Sequence, residues 1–185
     1  MKHANSYDTN KTKKIVIMAL LIAVSFVGAN IKIFGTIAFD SLPGFLAALL
    51  LGPWYGAAIG FLGHLLTAMT SGFPLSIPMH LVIAVTMAIT MLGFGYSYIA
   101  LKNRISETAA LITTGVVGFI LNVPFSLACS MMLLAAIAGR EIALGLLVML
   151  LPLAIASAAN IILAITVFKS LKRIGVNSDE SVYKA

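Results

Sequence analysis

Long apolar runs separated by charged residues, glycines and prolines restrict the fold of this chain more than any other feature. Six runs can be counted, at about 15–33, 41–51, 54–71, 76–100, 107–138 and 142–171. About 20 apolar residues in a helix cross the hydrocarbon core of a bilayer. The mean hydropathy of +1.07 also lies outside the range of soluble globular domains. The sequence therefore predicts an all-α integral membrane bundle of six transmembrane helices.

The second run, 41–51, is too short for an ordinary span. At 1.5 Å per residue it cannot cross a hydrocarbon core about 30 Å thick. A helix that stops within the membrane needs protein around its ends, because lipid offers no hydrogen bonds to them. We expect this helix to be shielded by the rest of the bundle.

The apolar runs follow one another closely, which predicts one membrane domain over residues 15–172. A polar segment, 1–14, precedes it, and a polar tail, 173–185, follows it. The first run continues for about nineteen residues after Lys14 without a small-x-small cleavage site, so it is interpreted as a retained span and not as a signal peptide.

Basic residues predict that both termini are cytoplasmic, since cytoplasmic loops of membrane proteins are rich in Lys and Arg. This orientation leaves only Lys32 and Arg140 outside. It places ten basic residues inside: Lys2, Lys11, Lys13, Lys14, Lys102, Arg104, Lys169, Lys172, Arg173 and Lys184. Topology thus explains the net charge of +6, and no nucleic acid partner is expected. The partner implied at this stage is the lipid bilayer of the cell membrane.

Polar side chains in the outer half of the bundle are the main functional signal. An unpaired polar group in hydrocarbon requires a partner, a water-filled cavity or a ligand. His64, Thr67 and Ser71 share one face of the third helix, and His80 begins the fourth. Similar stripes follow on the last two helices: Asn122, Ser126, Cys129 and Ser130, then Ser157 and Asn160. Thr86 and Thr90 are expected to bond back to carbonyls of their own helix.

The predicted outer loops add Asn30, Lys32 and Asp40, together with Arg140 and Glu141. We predict that part of this polar set converges on one cavity that opens outward. The alternative is that each group joins helices by hydrogen bonds. The ligand-binding candidates are Asn30, Asp40, His64, Thr67, His80, Asn122, Ser126 and Asn160. Neutral imidazoles suit an uncharged polyol or heterocycle, whereas an anionic ligand would favour Lys32 or Arg140.

Small residues recur at helical spacing on two helices. Gly52, Gly56 and Gly60 permit close backbone approach on the third helix. Ala19 and Ala23 form a similar pair on the first helix. Packing within the chain is the default interpretation of both sets, and a docking face for another subunit is the alternative.

Several chemistries are disfavoured. The chain has no phosphate-binding G-x-x-x-x-G-K-[ST] loop, no H-E-x-x-H and no G-x-S-x-G. Two histidines without an intramembrane carboxylate make a poor metal site, and the acidic residues lie outside the helix interiors, which disfavours proton coupling. The lone Cys129 makes no disulfide within the chain. We expect no enzyme activity, cofactor or metal, and a binding function without its own energy source.

Two stretches carry a resemblance to a known family. They are "ALLIA" at 19–23 and "PGFLAALLLGPWYGA" at 43–57, the latter within a longer similar segment, 42–75. With these motifs the chain resembles the substrate-binding S components of energy-coupling factor (ECF) transporters. The resemblance implies a micronutrient pocket facing outward, and partnership with a membrane scaffold subunit and two ATPase subunits. It also places a docking motif on Ala19 and Ala23 and the first outer loop on residues 34–40.

Within that family, "GHLLTAMTSGFPL" at 63–75 is most similar to members assigned to uptake of α-ribazole, a nucleoside precursor of the cobalamin lower ligand. The resemblance suggests Phe73, Phe125 or Met79 for the flat benzimidazole. Trp54 is expected at the cytoplasmic interface instead. His64 and His80 are expected to face each other across the cavity.

Other readings remain open at this point. The ligand alternatives are pyridoxine-like compounds, other heterocyclic vitamins and modified nucleobases. The functional alternatives are a self-sufficient small-heterocycle carrier, an intramembrane enzyme that uses one of the two histidines, and a structural assembly factor.

Overall fold

The computed structural model describes residues 6–30, 32–33, 37–38 and 40–175, with side chains for 12–30 and 40–175. Most of the predicted loop at 34–40, the first five residues and the predicted tail beyond 175 lie outside the described residues. The side chain of Lys32 also lies outside them. The described chain is almost entirely helical.

Helix α1 spans Ser6–Asn30 and is followed by strands β1 (Lys32–Ile33) and β2 (Ile37–Ala38). The predicted bounds of 15–33 were wrong at both ends. Helix α1 begins at Ser6, so polar residues before Lys14 are helical too. At the other end, Lys32 and Ile33 pair antiparallel with Ala38 and Ile37, as expected of β-branched residues in an extended segment.

Helices α2 (Leu42–Leu50) and α3 (Pro53–Thr70) are separated by a sharp break. Gly52 has a φ of +110°, a conformation that side chains disfavour, and Pro53 then fits the first turn of α3. Residues 43–50 of α2 are all buried, against α1, α3, α4 and α8. The expectation that protein shields the short second run is confirmed.

The remaining helices are long. Helix α4 spans Ile77–Leu101. Helices α5 (Glu107–Ile120) and α6 (Ser126–Ala138) continue into each other through a π-helical segment, Leu121–Phe125. A short helix α7 (Arg140–Leu144) and a 3-10 segment, Gly145–Met149, lead into α8 (Leu150–Arg173).

Within the described residues, four helical stretches are long and apolar enough to cross a membrane: Thr12–Asn30, Ile77–Leu101, Glu107–Ala138 and Arg140–Arg173. Their outer surfaces carry exposed large apolar side chains, such as Leu20, Val85, Ile112 and Ile155. Lipid covers such surfaces in a membrane protein.

Aromatic and aliphatic side chains from α2, α4, α5 and α8 form the main core. Phe45 meets Phe94 edge-on with ring centroids 4.9 Å apart, and Tyr98 meets Phe168 in the same way at 5.6 Å. Close approach of α2 and α3 depends on Gly56, where a Cβ would lie 2.6 Å from the Cβ of Ala48. This contact confirms the packing role predicted for Gly56, and Gly60 likewise packs closely against Met91, whereas Gly52 precedes α3 and is not part of its face.

Candidate functional site

A cavity of about 320 Å³ lies among α3, α4, the π-helical segment, α6 and α8, with the 3-10 segment along one side. This volume is at the small end of the range of ligand pockets in proteins. The cavity is lined by Asp40, Ser41, His64, Thr67, Ala68, Ser71, Pro74, Leu75, Met79, His80, Ile83, Met87, Asn122, Ser126, Leu127, Ser130, Gly145, Leu146, Val148, Met149, Pro152, Leu153, Ala156, Ser157 and Asn160.

Seven of the eight residues predicted from the sequence line this cavity: Asp40, His64, Thr67, His80, Asn122, Ser126 and Asn160. Asn30 does not. Its side chain is exposed, and its amide Nδ2 donates to the carbonyl of Phe26 over 2.8 Å, one turn back in α1. The structure thus gathers side chains that are up to 120 residues apart in the sequence, from Asp40 to Asn160.

The histidines form one polar end of the cavity. Nε2 of His64 lies 3.2 Å from Nδ1 of His80, so the two rings share a hydrogen bond. On its other side, Nδ1 of His64 lies 3.8 Å from Oδ2 of Asp40. The expectation that the histidines face each other across the cavity was wrong, because α3 and α4 pack closely enough for the rings to touch.

Contacts with α1 and α3 hold Asp40 in place. The hydroxyl of the fully buried Ser25 donates to the backbone carbonyl of Asp40 over 2.5 Å. Ser25 itself fits only because residue 63 is glycine: a Cβ there would lie 2.2 Å from the Ser25 hydroxyl. Gly63 is therefore part of the framework that sets Asp40 beside His64.

Hydroxyl and amide groups form a second polar part of the lining. Asn122 Nδ2 donates to Ser157 Oγ over 2.9 Å, which joins the π-helical segment to α8. Thr86 Oγ1 and Ser126 Oγ lie 2.7 Å apart and join α4 to α6. Both pairs therefore join helices by hydrogen bonds, which was the alternative to a ligand-binding role. Asn122, Ser157 and Ser126 also line the cavity, and Thr86 contacts it through Ser126.

Threonines behave as predicted in α4. Thr90 Oγ1 donates to the carbonyl of Thr86 over 2.8 Å, and Thr86 Oγ1 donates to that of Ile83 over 2.9 Å. The second bond of Thr86, to Ser126, was not predicted from the sequence.

The π-helical segment orients Asn122. Pro124 lies inside this segment and has no N–H to donate to the preceding turn. A π turn holds one more residue than an α turn, which rotates the side chains that follow it, and such turns are frequent at functional sites. Asn122 is 5% exposed and Ser126 is also buried.

Apolar side chains also line the cavity. Met79, Leu127 and Leu146 pack together among them. Of the residues suggested for a flat ring, only Met79 lines the cavity. Phe73 packs edge-on against His80 at 5.7 Å between ring centroids, and Phe125 is outside the lining. Trp54 is 69% exposed and does not line the cavity.

The stretch from Gly145 to Pro152 also lines the cavity, and the sequence analysis did not predict this role. Gly145, Leu146, Val148 and Met149 come from the 3-10 segment, and Pro152 from the first turn of α8. Gly139, Gly145 and Pro152 interrupt an apolar run, and this punctuation was the available signal.

Charge in the cavity is sparse. Asp40 is the one Asp, Glu, Lys or Arg among the lining residues that the structure describes. Arg140 and Glu141 are exposed and outside the lining, and Cys129 is outside it too. No group of three or more His, Cys, Asp or Glu arranged to hold a metal ion occurs in the described part of the chain.

Comparison with known proteins identifies the family. The family model described as "ECF transporter, substrate-specific component" matches residues 13–171, which is most of the 185-residue chain. No curated protein and no solved structure gives a significant match. Members of this family are substrate-binding subunits of transporters, and not enzymes. The chain belongs to the family of ECF transporter substrate-specific components.

Proposed function

We propose that the chain binds α-ribazole, or a closely related heterocyclic vitamin precursor, as the S component of an importer in the plasma membrane. The cavity described above is the proposed binding site. Its ligand-binding residues are Asp40, His64, Thr67, His80, Asn122, Ser126 and Asn160.

The observation that carries this proposal is the division of the cavity lining. The lining combines the apolar Met79–Leu127–Leu146 cluster with two hydrogen-bonded polar groups, the His64–His80 pair and the Asn122–Ser157 pair. α-Ribazole joins an apolar benzimidazole to a ribose with several hydroxyls. Pockets in which a few polar groups orient an otherwise apolar ligand follow this plan in general.

The proposed topology has six transmembrane helices, with both termini in the cytoplasm, so that the cavity opens outward. The distribution of basic residues supports this orientation.

The proposed partners are a membrane scaffold subunit and two ATPase subunits, and Ala19 and Ala23 are proposed to meet the scaffold. Both alanines are exposed on α1, between the exposed side chains of Val16, Leu20 and Val27. Their exposure weighs against the default reading that they pack within this chain. Small residues on an exposed helix face allow another helix to approach closely in a membrane.

Purification of the whole chain followed by mass spectrometry of the copurifying small molecule tests the substrate. Titration of the emptied protein with α-ribazole and with pyridoxine is the direct comparison. Tighter binding of α-ribazole supports the proposal. Tighter binding of pyridoxine, or of another identified vitamin, replaces the substrate and leaves the family function in place.

Reconstitution in liposomes tests the need for partners. Uptake should require the scaffold subunit, both ATPases and ATP. Equal uptake by this chain alone, without ATP, would instead favour the self-sufficient carrier.

A further inference from the structure

Asp40, His64 and His80 form a continuous chain of polar side chains at one end of the cavity. They come from three different elements: the residue pair before α2, the middle of α3 and the first turn of α4. The two links are the 3.8 Å approach of Asp40 Oδ2 to His64 Nδ1 and the 3.2 Å contact of His64 Nε2 with His80 Nδ1. The proton positions along the chain decide what it offers to a ligand.

The carboxylate sets these proton positions. In a neutral imidazole one nitrogen carries the proton and the other accepts, and the partner of one nitrogen fixes the role of the other. Asp40 favours the proton on Nδ1 of His64, so Nε2 of His64 is the acceptor. His80 then donates from Nδ1, and its own Nε2 is left with a lone pair.

That last nitrogen has no protein partner. His80 is 6% exposed, and Nε2 is shielded from solvent and lacks a hydrogen bond to any residue that the structure describes. Buried polar atoms are nearly always paired. The ring of His80 belongs to the cavity wall, so a bound ligand is the natural source of the missing donor.

A strained turn adjoins His80. Phe73, which packs edge-on against the His80 ring, has a φ of +50°, and Ser76 has a φ of +83°. Non-glycine residues seldom adopt such values, and strain of this kind is concentrated at sites that bind or switch. The same turn supplies Pro74 and Leu75 to the cavity lining beside the His80 ring.

The rest of the described lining does not offset the charge of Asp40. The titratable residues of this described lining are Asp40, His64 and His80. The lining residues from α6, the 3-10 segment and α8 carry hydroxyl, amide and apolar groups. The side chains of Asp40 and His64 are 12% and 14% exposed. A like charge brought to such a shielded site is repelled strongly.

We infer that the Asp40–His64–His80 chain makes the site selective for ligands without an anionic group, and that Nε2 of His80 accepts a hydrogen bond from a ligand hydroxyl or N–H. This inference rests on the proposed function, since it assumes that the cavity is the ligand site. It adds a rule about ligand chemistry that holds whichever vitamin binds.

Two matched pairs of probes test the charge rule on the purified full chain: α-ribazole with its 5′-phosphate, and pyridoxine with its 5′-phosphate. In the pair that binds, the neutral member should bind about 100-fold more tightly. Asp40→Asn should reduce this ratio about tenfold. Glu141→Gln removes an exposed carboxylate outside the cavity lining and should leave the ratio unchanged.

His80 variants test the acceptor. His80→Gln keeps a side-chain carbonyl that can accept, and should retain more affinity than His80→Phe, which keeps only the ring shape. Equal affinity of the two variants overturns the role of Nε2, provided that both proteins melt at the temperature of the original.

The outcomes separate this inference from the proposed substrate. Binding of the pyridoxine pair with the neutral member preferred corrects the substrate and upholds the charge rule. Tighter binding of either phosphate, or an anionic molecule copurifying with the chain, overturns the charge rule and leaves the binding function intact.

Discussion

Asn122 Nδ2 donates to Ser157 Oγ over 2.9 Å, and this bond joins the π-helical segment to α8 in the lining of the cavity. Both residues line the cavity and both are buried. The same side chains therefore hold two helical segments together and line the cavity, so local packing and the shape of the proposed site are coupled at this point.

Asn122→Ala should weaken ligand binding about 3- to 10-fold, because one hydrogen bond contributes about 0.5–1.5 kcal/mol. The melting temperature should fall slightly, since Ser157 also loses its partner. Isothermal titration with the copurifying ligand measures the first effect. Asn103→Ala, in an exposed turn after α4, is the matched control and should change neither quantity. Unchanged affinity in Asn122→Ala would remove this residue from the site.

Gly63→Ala should destabilise the protein by about 1–3 kcal/mol, the usual cost of overpacking. The new Cβ would lie 2.2 Å from Ser25 Oγ, and the serine would then lose its bond to the Asp40 carbonyl. Thermal unfolding in detergent measures the loss. Gly115→Ala is the control, since a Cβ there meets its nearest neighbour at 3.4 Å. The double variant Gly63→Ala/Ser25→Ala should recover part of the stability, and no recovery would contradict the proposed clash.

Pro124→Ala should raise stability and lower affinity in the same protein. The substitution restores an N–H that can bond within the helix, which favours an ordinary α turn over the π turn at 121–125. An α turn holds one residue fewer than a π turn, so this change of turn would rotate Asn122 relative to Ser126. Melting temperature and ligand affinity, measured on one preparation, give the two readouts. A rise in both would show that the π turn does not serve the cavity.

Periodicity in the sequence predicted much of the candidate site. The i, i+3 and i+4 spacing of His64 with Thr67, and of Asn122 with Ser126, placed these side chains on common helix faces, and they do line one cavity. The shortness of the run at 41–51 similarly predicted a shielded helix. This prediction compares the length of the helix with the thickness of the bilayer, and it needs no knowledge of tertiary contacts.

Features that depend on distances between helices could not be predicted in this way. The direct contact of His64 with His80 depends on how closely α3 and α4 approach, and periodicity gives helix faces but not separations. Likewise, the π turn at Pro124 changes the register of α6 relative to α5. The end of α1 at Asn30 was missed because the apolar residues Ile31 and Ile33 follow it, with only Lys32 between them.

Ala19→Val/Ala23→Val should block ATP-driven uptake in liposomes that contain the scaffold and ATPase subunits, while ligand binding by the isolated chain stays unchanged. Both alanines are exposed and neither lines the cavity, so larger side chains there should hinder only the close approach of another helix. Ala136→Val, on the exposed part of α6, is the matched control and should transport normally. Uptake at the original rate in the double variant would mean that the scaffold meets a different face of the chain, whereas lost ligand binding would mean that α1 shapes the cavity.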